Sequence, residues 1–491
     1  MVHATSTQML LTTTLQSLVM QLAGLLAHAV SLLEQFLSHE PTPQAMATFE
    51  RELSALLREV GHCVMTWVCN RIEPATPADA PSRLWFGGRA YRRRRKYRGT
   101  IATLFGTVVV WRLLYEPLEP GMRSIHPLEL RLGLEVGVAT PALAERLGSW
   151  AADHSQRQVL EMLAHDHGVH WSGTTLRKLL ASLSAGMAAH RHAAQVERVV
   201  GWLSQAHGSK GRWQPTLSVG RDGVNVPMRH RAWKEGATAT VSVLDRRGKR
   251  LGTVYLGQMP EAGQGTLTEQ LTTLLQDVLR HVDSQRLRLV YVSDDGYHPS
   301  EYYHGVLCQM HDPRRPWRQL EWIRIVDYYH ACLYITQLAN ALFGPVAKGR
   351  AWAQQMRRQL KTQSDGITRV LQSASALRRQ HGLWGNPKSY DQAYAYLKKR
   401  SHWMCYKHYR SQRLPIGSGV TEAACKTVFT QRLKRSGMSW TVSGGQVIVD
   451  LRVIWLSGIW DQVHQAYLTS KPMPMTRMDM EHCIQHGQEA A

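Results

Sequence analysis

Between Leu217 and Asp327 short apolar runs keep ending on acids, and few folds accommodate that pattern. Leu217-Ser218-Val219-Gly220-Arg221-Asp222-Gly223 is an apolar alternation that closes on an acid and a glycine. Thr238 to Leu244 and Leu251 to Leu256 are rich in β-branched residues and are joined by Asp245 to Arg250, the pattern of a hairpin. Leu267 to Val282 has helical period, and Leu287 to Val292 is a short buried-type strand that ends at Ser293-Asp294-Asp295-Gly296. After another helical stretch, Trp322 to Val326 reads as a strand that ends at Asp327. The predicted order is three antiparallel strands, helix, strand, helix, strand, with acids at the tips of the first, fourth and fifth strands.

That order predicts an α/β RNase H-like catalytic core on a mixed five-stranded sheet. The chemistry of phosphodiester cleavage explains acids at such places. Two Mg2+ ions about 3.5–4 Å apart stabilise the attacking and leaving oxygens, and hard cations take oxygen ligands. Neighbouring strand ends lie roughly 5 Å apart, so Asp222 and Asp294 are predicted to share a metal although they are distant in the chain. Pro415 to Lys426 then opens a helix, with glycines for close backbone approach and Ser418 as N-cap. Glu422 falls in its first turns, where the positive helix end favours a carboxylate. Lys426, Arg432, Lys434 and Arg435 follow, placed to hold a phosphate backbone.

The chain has 491 residues, 44% of them hydrophobic, enough for about three domains. Its formal charge of +22 implies a polyanionic partner. Seven scattered cysteines without a C-x-x-C pair argue for a reducing compartment, and against a disulfide framework and a structural zinc. Cys63 and Cys69 read as helix-buried thiols.

Residues 9 to 37 carry no charge before Glu34, but they lack the positive start of a signal peptide. Leu11, Leu15, Leu18, Leu22, Leu25, Ala29, Leu32 and Phe36 follow the three- and four-residue steps of a heptad seam. A dimerisation or core helix is predicted here rather than a membrane span. A second helix, Ala45 to Arg71, precedes a proline-rich linker from Glu73 to Pro81. Arg92, Arg93, Arg94, Arg95 and Lys96 form the densest basic run, suited to neutralising phosphates, with a solvated charged stretch as the alternative. Thr103 to Tyr115 reads as a strand pair around Gly106. Ser155 to His167, the turn Gly168-Val169-His170, and Ser172 to Ser184 fit a helix-turn-helix reader, with Thr174, Thr175, Arg177 and Lys178 early in its second helix. Such hairpins are equally common in cores.

The domains predicted are therefore 1–72, helical and possibly for dimerisation; 73–139, linker, basic run and short strands; and 140–213, helical and helix-turn-helix-like. The core occupies 214–327, an all-helical insertion 328–414, the catalytic and C-terminal helices 415–467, and a weakly ordered tail 468–491. The region before the core is expected to be mostly helical and to bind DNA.

Each acid alone has a plainer explanation. An Asp after a strand is commonly a turn-former, a Glu at a helix start a dipole partner, and a lone His a satisfied core residue. Their combined order is what argues for chemistry.

The motifs Asp222-Gly223-Val224, Tyr291-Val292-Ser293-Asp294, Val326-Asp327-Tyr328-Tyr329-His330-Ala331 and Gly417 to Lys426 resemble those of bacterial insertion-sequence transposases of the ISKra type. So does Gln431 to Met438. That family's core is related to Mutator-like transposases. The resemblance is strong from about residue 214 to 462; before that only short pieces such as Leu104-Phe105-Gly106 and Pro127-Leu128-Glu129 are similar. It implies a DDE reaction at the ends of the element, with strand transfer into target DNA. Carried over, Asp222, Asp294 and Glu422 are the catalytic and metal-binding acids. Asp327 and His330 match the family's Asp-x-x-His signature, His330 orienting a phosphate or water or moving a proton. An aspartate also stands at 295, and only one of the two neighbours can face the site; the family match assigns Asp294. The implied cofactors are two Mg2+ ions, with Mn2+ as a substitute. The implied partners are double-stranded DNA (terminal inverted repeats and target) and further copies of this chain, in the bacterial cytoplasm at the nucleoid, with no membrane. The alternatives are an inactive or domesticated DNA-binding regulator, and an RNase H-like structure-specific nuclease such as a junction resolvase.

Overall fold

A computed structural model describes residues 15–476 and Asp479. Leu11 of the heptad, and positions 477, 478 and 480–491 of the expected tail, lie outside the described residues. The chain divides into two compact units, one running to Met187 and resuming at His464, the other Ala188–Val463.

The first unit opens with α1 (Leu15–Leu37) and α2 (Pro43–Arg71). Thr42 caps α2 by accepting from the Ala45 N–H at 3.1 Å, and Pro43 occupies the first turn, where a missing donor costs nothing. Phe36 stacks on Phe49 at 4.8 Å and joins the two helices. By length and composition α1 is long and apolar enough to cross a membrane, and Leu15, Met20, Leu26, Leu33 and Leu37 along it are exposed.

A three-stranded antiparallel sheet follows, in the order β1 (Arg83–Phe86), β2 (Arg89–Thr103), β3 (Gly106–Pro117). Strands β2 and β3 run longer than the short strands expected here, and β2 takes in the basic run. The cause is burial. Tyr91, Leu113 and Tyr115 pack with Leu84 and Ala80 beside the charged stretch, and Ile101, Val108 and Val110 pack with Cys69 and Leu128 at the far end of the strand pair. Glu73, at the head of the expected linker, is buried and accepts the Leu113 and Leu128 N–H groups at 2.6 and 2.9 Å. It anchors the unit instead of loosening it.

Helices α3 (Pro127–Arg131), α4 (Pro141–Asp153), α5 (Gln156–His167) and α6 (Gly173–Gly208) complete this stretch. Ser155 and Gln158 form a capping box at the start of α5, and Gly168 ends it at φ 63°. The expected helix-glycine turn-helix is present, but α6 runs on to Gly208 instead of stopping near Ser184. Gly186 does not break it; a side chain there would strike the Tyr467 ring at 2.2 Å, so this glycine serves close packing.

The second unit is built on a five-stranded mixed sheet. Strands β4 (Thr216–Pro227), β5 (Trp233–Leu244) and β6 (Arg250–Gln258) form an antiparallel meander, followed by α7 (Gly265–His281), β7 (Arg288–Ser293) and α8 (Tyr297–Gly305). A small hairpin, β8 (His311–Asp312) with β9 (Arg315–Gln319), precedes β10 (Trp322–Val326). The sheet order is β10-β7-β4-β5-β6, with β7 parallel to both its neighbours.

Strand alternation sorts the side chains of β7. Leu289 and Tyr291 join Leu271, Leu274, Leu275 and Val278 of α7 in one core, whereas Val290 and Val292 join Ile325 and the helices after β10 in another. Helices therefore cover both faces, as a sheet with parallel central strands requires. Those after β10 are α9 (Tyr328–Phe343), α10 (Ala347–Thr362), α11 (Gly366–His381), α12 (Pro387–Lys399) and α13 (Tyr406–Ser411). The chain then returns to the sheet through α14 (Gly419–Ala424), a π-helical turn Cys425–Thr430 and a last turn to Leu433. It ends in α15 (Val442–Leu456) and α16 (Trp460–Thr469).

Gly220 lets α14 rest directly on β4. A Cβ there would lie 2.0 Å from the Thr421 hydroxyl, which in turn bonds Thr240 at 2.8 Å. Gly220→Ala is expected to push α14 off the strand and to cost about 1–3 kcal/mol in urea melts. Thr421→Ala in the same chain should recover part of that loss. Equal stability of Gly220→Ala and the parent would remove α14 from its place on β4.

Candidate active site

Asp222 lies inside β4, not at its tip. Pairing of β4 with β7 ends at Gly220 opposite Val292, yet the ladder with β5 continues to Pro227 opposite Trp233. The backbone beyond Asp222 thus keeps its hydrogen-bond partners, and nothing forces the strand to stop at the acid. Asp222 stands two residues past Gly220, and Asp294 two past Val292. The two acids therefore stand at matching positions, two residues past the last β4–β7 pair, on strands about 4.8 Å apart. Alternation fixes their direction. Arg221 turns to the α7 side, donating to Thr268 Oγ1 at 2.8 Å and Gln264 Oε1 at 3.0 Å, so Asp222 turns toward α14.

One oxygen of Asp222 accepts the Gly223 N–H at 2.8 Å, and the other accepts from the Cys425 thiol at 3.4 Å. Cys425 follows Glu422 by about one helical turn, which puts Glu422 on the same side of its helix. Burial raises the Asp222 carboxyl to about 6; the charge of Asp294 adds to this and that of Glu422 adds less, while the Gly223 and Cys425 bonds oppose it. The Asp222 carboxyl therefore feels the charges of both other acids. Burial also pushes the Cys425 thiol up, and the Asp222 charge adds to the effect, so the thiol stays protonated and donates. Among the described residues no three His, Cys, Asp or Glu side chains are gathered tightly enough to hold a metal ion as they stand.

Glu422 is exposed and accepts from the Ser418 hydroxyl at 3.1 Å. Ser418 does occupy the N-cap position of α14, but its side chain makes no cap bond; it steadies Glu422 instead. Asp327 is wholly buried. One of its oxygens accepts the His330 N–H at 2.5 Å and the other accepts the Ser418 N–H. It is a bracket between α9 and α14. The His330 ring stands edge-on to Tyr334 and Tyr396, at 5.4 and 5.8 Å.

The two adjacent aspartates separate clearly. Asp294 is half-buried and accepts the Gly296 N–H at 2.9 Å. Asp295 is buried between Arg324 and Arg400, paired with both. Asp294 is thus the one beside Asp222.

The chain is similar to a UPF0236 protein in the vanSb 3′ region of Streptococcus gallolyticus. The two are 22% identical over 461 residues, which covers 91% of each chain. No family model matches the sequence.

The predicted DNA contacts are unequal in exposure. Thr174, Arg177, Lys178 and Lys426 are exposed, Thr175 is half-buried and donates its N–H to Ser172 Oγ at 3.1 Å, and Lys434 and Arg435 are half-exposed. Arg432 corrects the expectation: it is buried, with its guanidinium over the Trp440 ring and reaching Met438, so it braces a turn. Within the basic run Arg94 pairs with Glu116 at 2.5 Å, Arg93 donates to the Ala80 carbonyl, and Lys96 to the Pro74 carbonyl at 2.7 Å. Arg92 and Arg95 are exposed.

Sequence reasoning passed over Cys425, which touches Asp222, and the exposed Tyr329 ring beside Gly417. Only their nearness in sequence to the acids pointed to them.

The raised carboxyl has a measurable consequence. An unfolded aspartate titrates at about 3.9, so between there and about 6 the folded chain holds a proton that the unfolded chain has lost. Asp222 therefore lowers stability as pH rises through that window, and its full penalty is present above it. In metal-free buffer at pH 7.5, Asp222→Asn is expected to be more stable than the parent by on the order of 1–2 kcal/mol, with the advantage gone near pH 4. A less stable variant at pH 7.5 would refute the crowding of charge at this site.

Proposed function

We propose that this chain is a DNA transposase of an insertion sequence, of the ISKra type that its motifs resemble, working by a DDE mechanism on an RNase H-like core. The observation that carries this reading is the convergence of Asp222 from β4, Asp294 from the end of β7 and Glu422 from α14, the last two each adding their charge to the upward push that burial gives the Asp222 carboxyl. The sheet order, with a three-strand meander at one edge and two parallel strands at the other, supports the core assignment.

The donor set suits hard divalent ions. It consists of carboxylates alone, the neighbouring thiol is kept protonated, and the mutual repulsion at Asp222 is what a cation would relieve. Asp222, Asp294 and Glu422 would hold two Mg2+ ions, or Mn2+ in their place, and such ions activate water or a 3′-hydroxyl and stabilise the leaving oxygen. The chain's own part is orientation. The Gly223 N–H and the Cys425 thiol aim Asp222, the Gly296 N–H aims Asp294, and the Ser418 hydroxyl aims Glu422. His330, set on a wall of tyrosines, is placed to orient a phosphate or to move a proton. The net charge of +22, the exposed Arg92 and Arg95 and the exposed start of α6 supply attraction to double-stranded DNA.

Asp222→Ala, Asp294→Ala and Glu422→Ala are each expected to lower Mg2+-dependent cleavage of element-end DNA by a thousandfold or more, with DNA affinity kept within a few-fold. Cleavage without joining to a target duplex would favour a structure-specific nuclease. Unchanged cleavage in Asp222→Ala would end the proposal.

The heptad positions Leu18, Leu22, Leu25, Ala29, Leu32 and Phe36 are buried or half-buried, whereas Met20, Leu26 and Leu33 lie off that seam and are exposed, and this exposed apolar side fits self-association. We place the protein accordingly as a homodimer or larger assembly on DNA in the bacterial cytoplasm. Light scattering on Leu26→Glu/Leu33→Glu should then show a smaller species than the parent; an unchanged mass would detach α1 from assembly.

A further inference from the structure

Asp295 sits at φ 62°, in the left-handed region that costs a non-glycine residue about 1 kcal/mol or more. Such a conformation persists only where the surroundings dictate it. Its carboxylate is 4% exposed and lies between the Arg324 guanidinium of β10 and that of Arg400, which follows α12 and reaches it at 2.5 Å. Arg324 is closed in by the Trp403 and Tyr303 rings at 3.7 and 4.4 Å, and Arg400 lies 4.0 Å from the Tyr396 ring.

The main chain is held from the same direction. The Tyr396 hydroxyl donates to the Asp294 carbonyl at 2.5 Å, and Arg400 donates to the Asp295 carbonyl at 3.2 Å. Both donors belong to the helical stretch inserted between β10 and α14. The Asp294 carboxylate in turn depends on this short turn, because it accepts the Gly296 N–H. A buried ion pair of this kind adds little stability over apolar packing of similar shape. What it fixes is direction: only one seating of α12 against the turn leaves the carboxylate paired and both carbonyls satisfied.

We propose that Asp295 is a positioning residue through which the helical insertion, by way of Arg400 and Tyr396 and against Arg324, sets where Asp294 points. Its consequence for cleavage rests on the transposase reading; the mechanical coupling does not. The insertion is then part of the apparatus that aims an acid, and not only a surface appended to the core.

Asp295→Asn leaves the buried Arg324 and half-buried Arg400 guanidiniums without a counter-charge and is expected to fold poorly, so the test uses Tyr396→Phe, Arg400→Ala and Arg400→Lys in the full chain. Arg378→Ala is the control, since it removes an exposed pair with Asp391 on the same insertion. Amide hydrogen exchange over residues 293–297 is measured beside melting temperature, DNA affinity and single-turnover cleavage at saturating DNA. Tyr396→Phe and Arg400→Ala should exchange at least tenfold faster over 293–297 and cleave at least tenfold more slowly at unchanged DNA affinity, Arg400→Lys falling between, with Arg378→Ala like the parent. Unchanged exchange in Arg400→Ala overturns the proposal, as does a loss of cleavage no larger than the loss of folded protein. If the parent cleaves no DNA with any divalent ion, the functional reading falls, and the exchange data still decide the coupling.

Discussion

The second unit depends on Asp327. It sits at the end of β10 with no exposed surface, and its two oxygens accept backbone N–H groups from different segments, His330 at the start of α9 and Ser418 at the start of α14. The whole helical insertion separates those segments in the chain, and one carboxylate closes the loop. A buried carboxylate is tolerated only when donors meet it, so the arrangement is mutually enforcing. α14 can settle only where Ser418 meets Asp327, and Asp327 can be buried only if it does. The Tyr328 N–H, which donates to the Ile416 carbonyl at 2.9 Å, repeats the tie one residue on. Glu422 inherits its position from this closure.

Gathering acids opposes folding, and the structure shows how the opposition is distributed. Asp327 and Asp295 are fully engaged, one by N–H groups and the other by guanidiniums. Asp222 has only one N–H and one weak thiol donor, and its carboxyl is correspondingly raised. Glu422 stays exposed, where water screens it. Structural acids thus receive full partners, and the acids assigned to chemistry are left short of them. That inequality is expected where stability and activity compete for the same groups.

The sequence reading placed the strands of the second unit well because their pattern is local. Trp322 to Val326 was expected as a strand and is one, and Leu287 to Val292 shifts by a single residue. It stopped β4 at Asp222, because the β5 ladder that carries the strand to Pro227 is a partnership between distant segments and leaves no local mark. The basic run in β2 misled for the same reason. Charge argues for solvent, while the strand is decided by Tyr91, Leu113 and Tyr115 packing with Leu84 behind it. Arg432 reads as one more cation in a basic tail, and only the folded position of Trp440 shows it to be interior.

The aspartate pair at 294 and 295 shows where such reading must stop. Two identical side chains in succession carry no information about which is which, since alternation says only that they diverge. Their roles are assigned by what converges on them from elsewhere: Asp222 on one side, Arg324 and Arg400 on the other. Two guanidiniums against one carboxylate leave a buried positive excess, and burial pulls Arg324 down to about 10. The faces of Trp403, Tyr303 and Tyr396 absorb part of that excess, because aromatic rings present negative potential to a cation. An apolar plug would fill the same space with less difficulty, but it would not distinguish one register of α12 from the next. A charge that must find its partner does, and it does so one residue away from an acid on which the reaction depends.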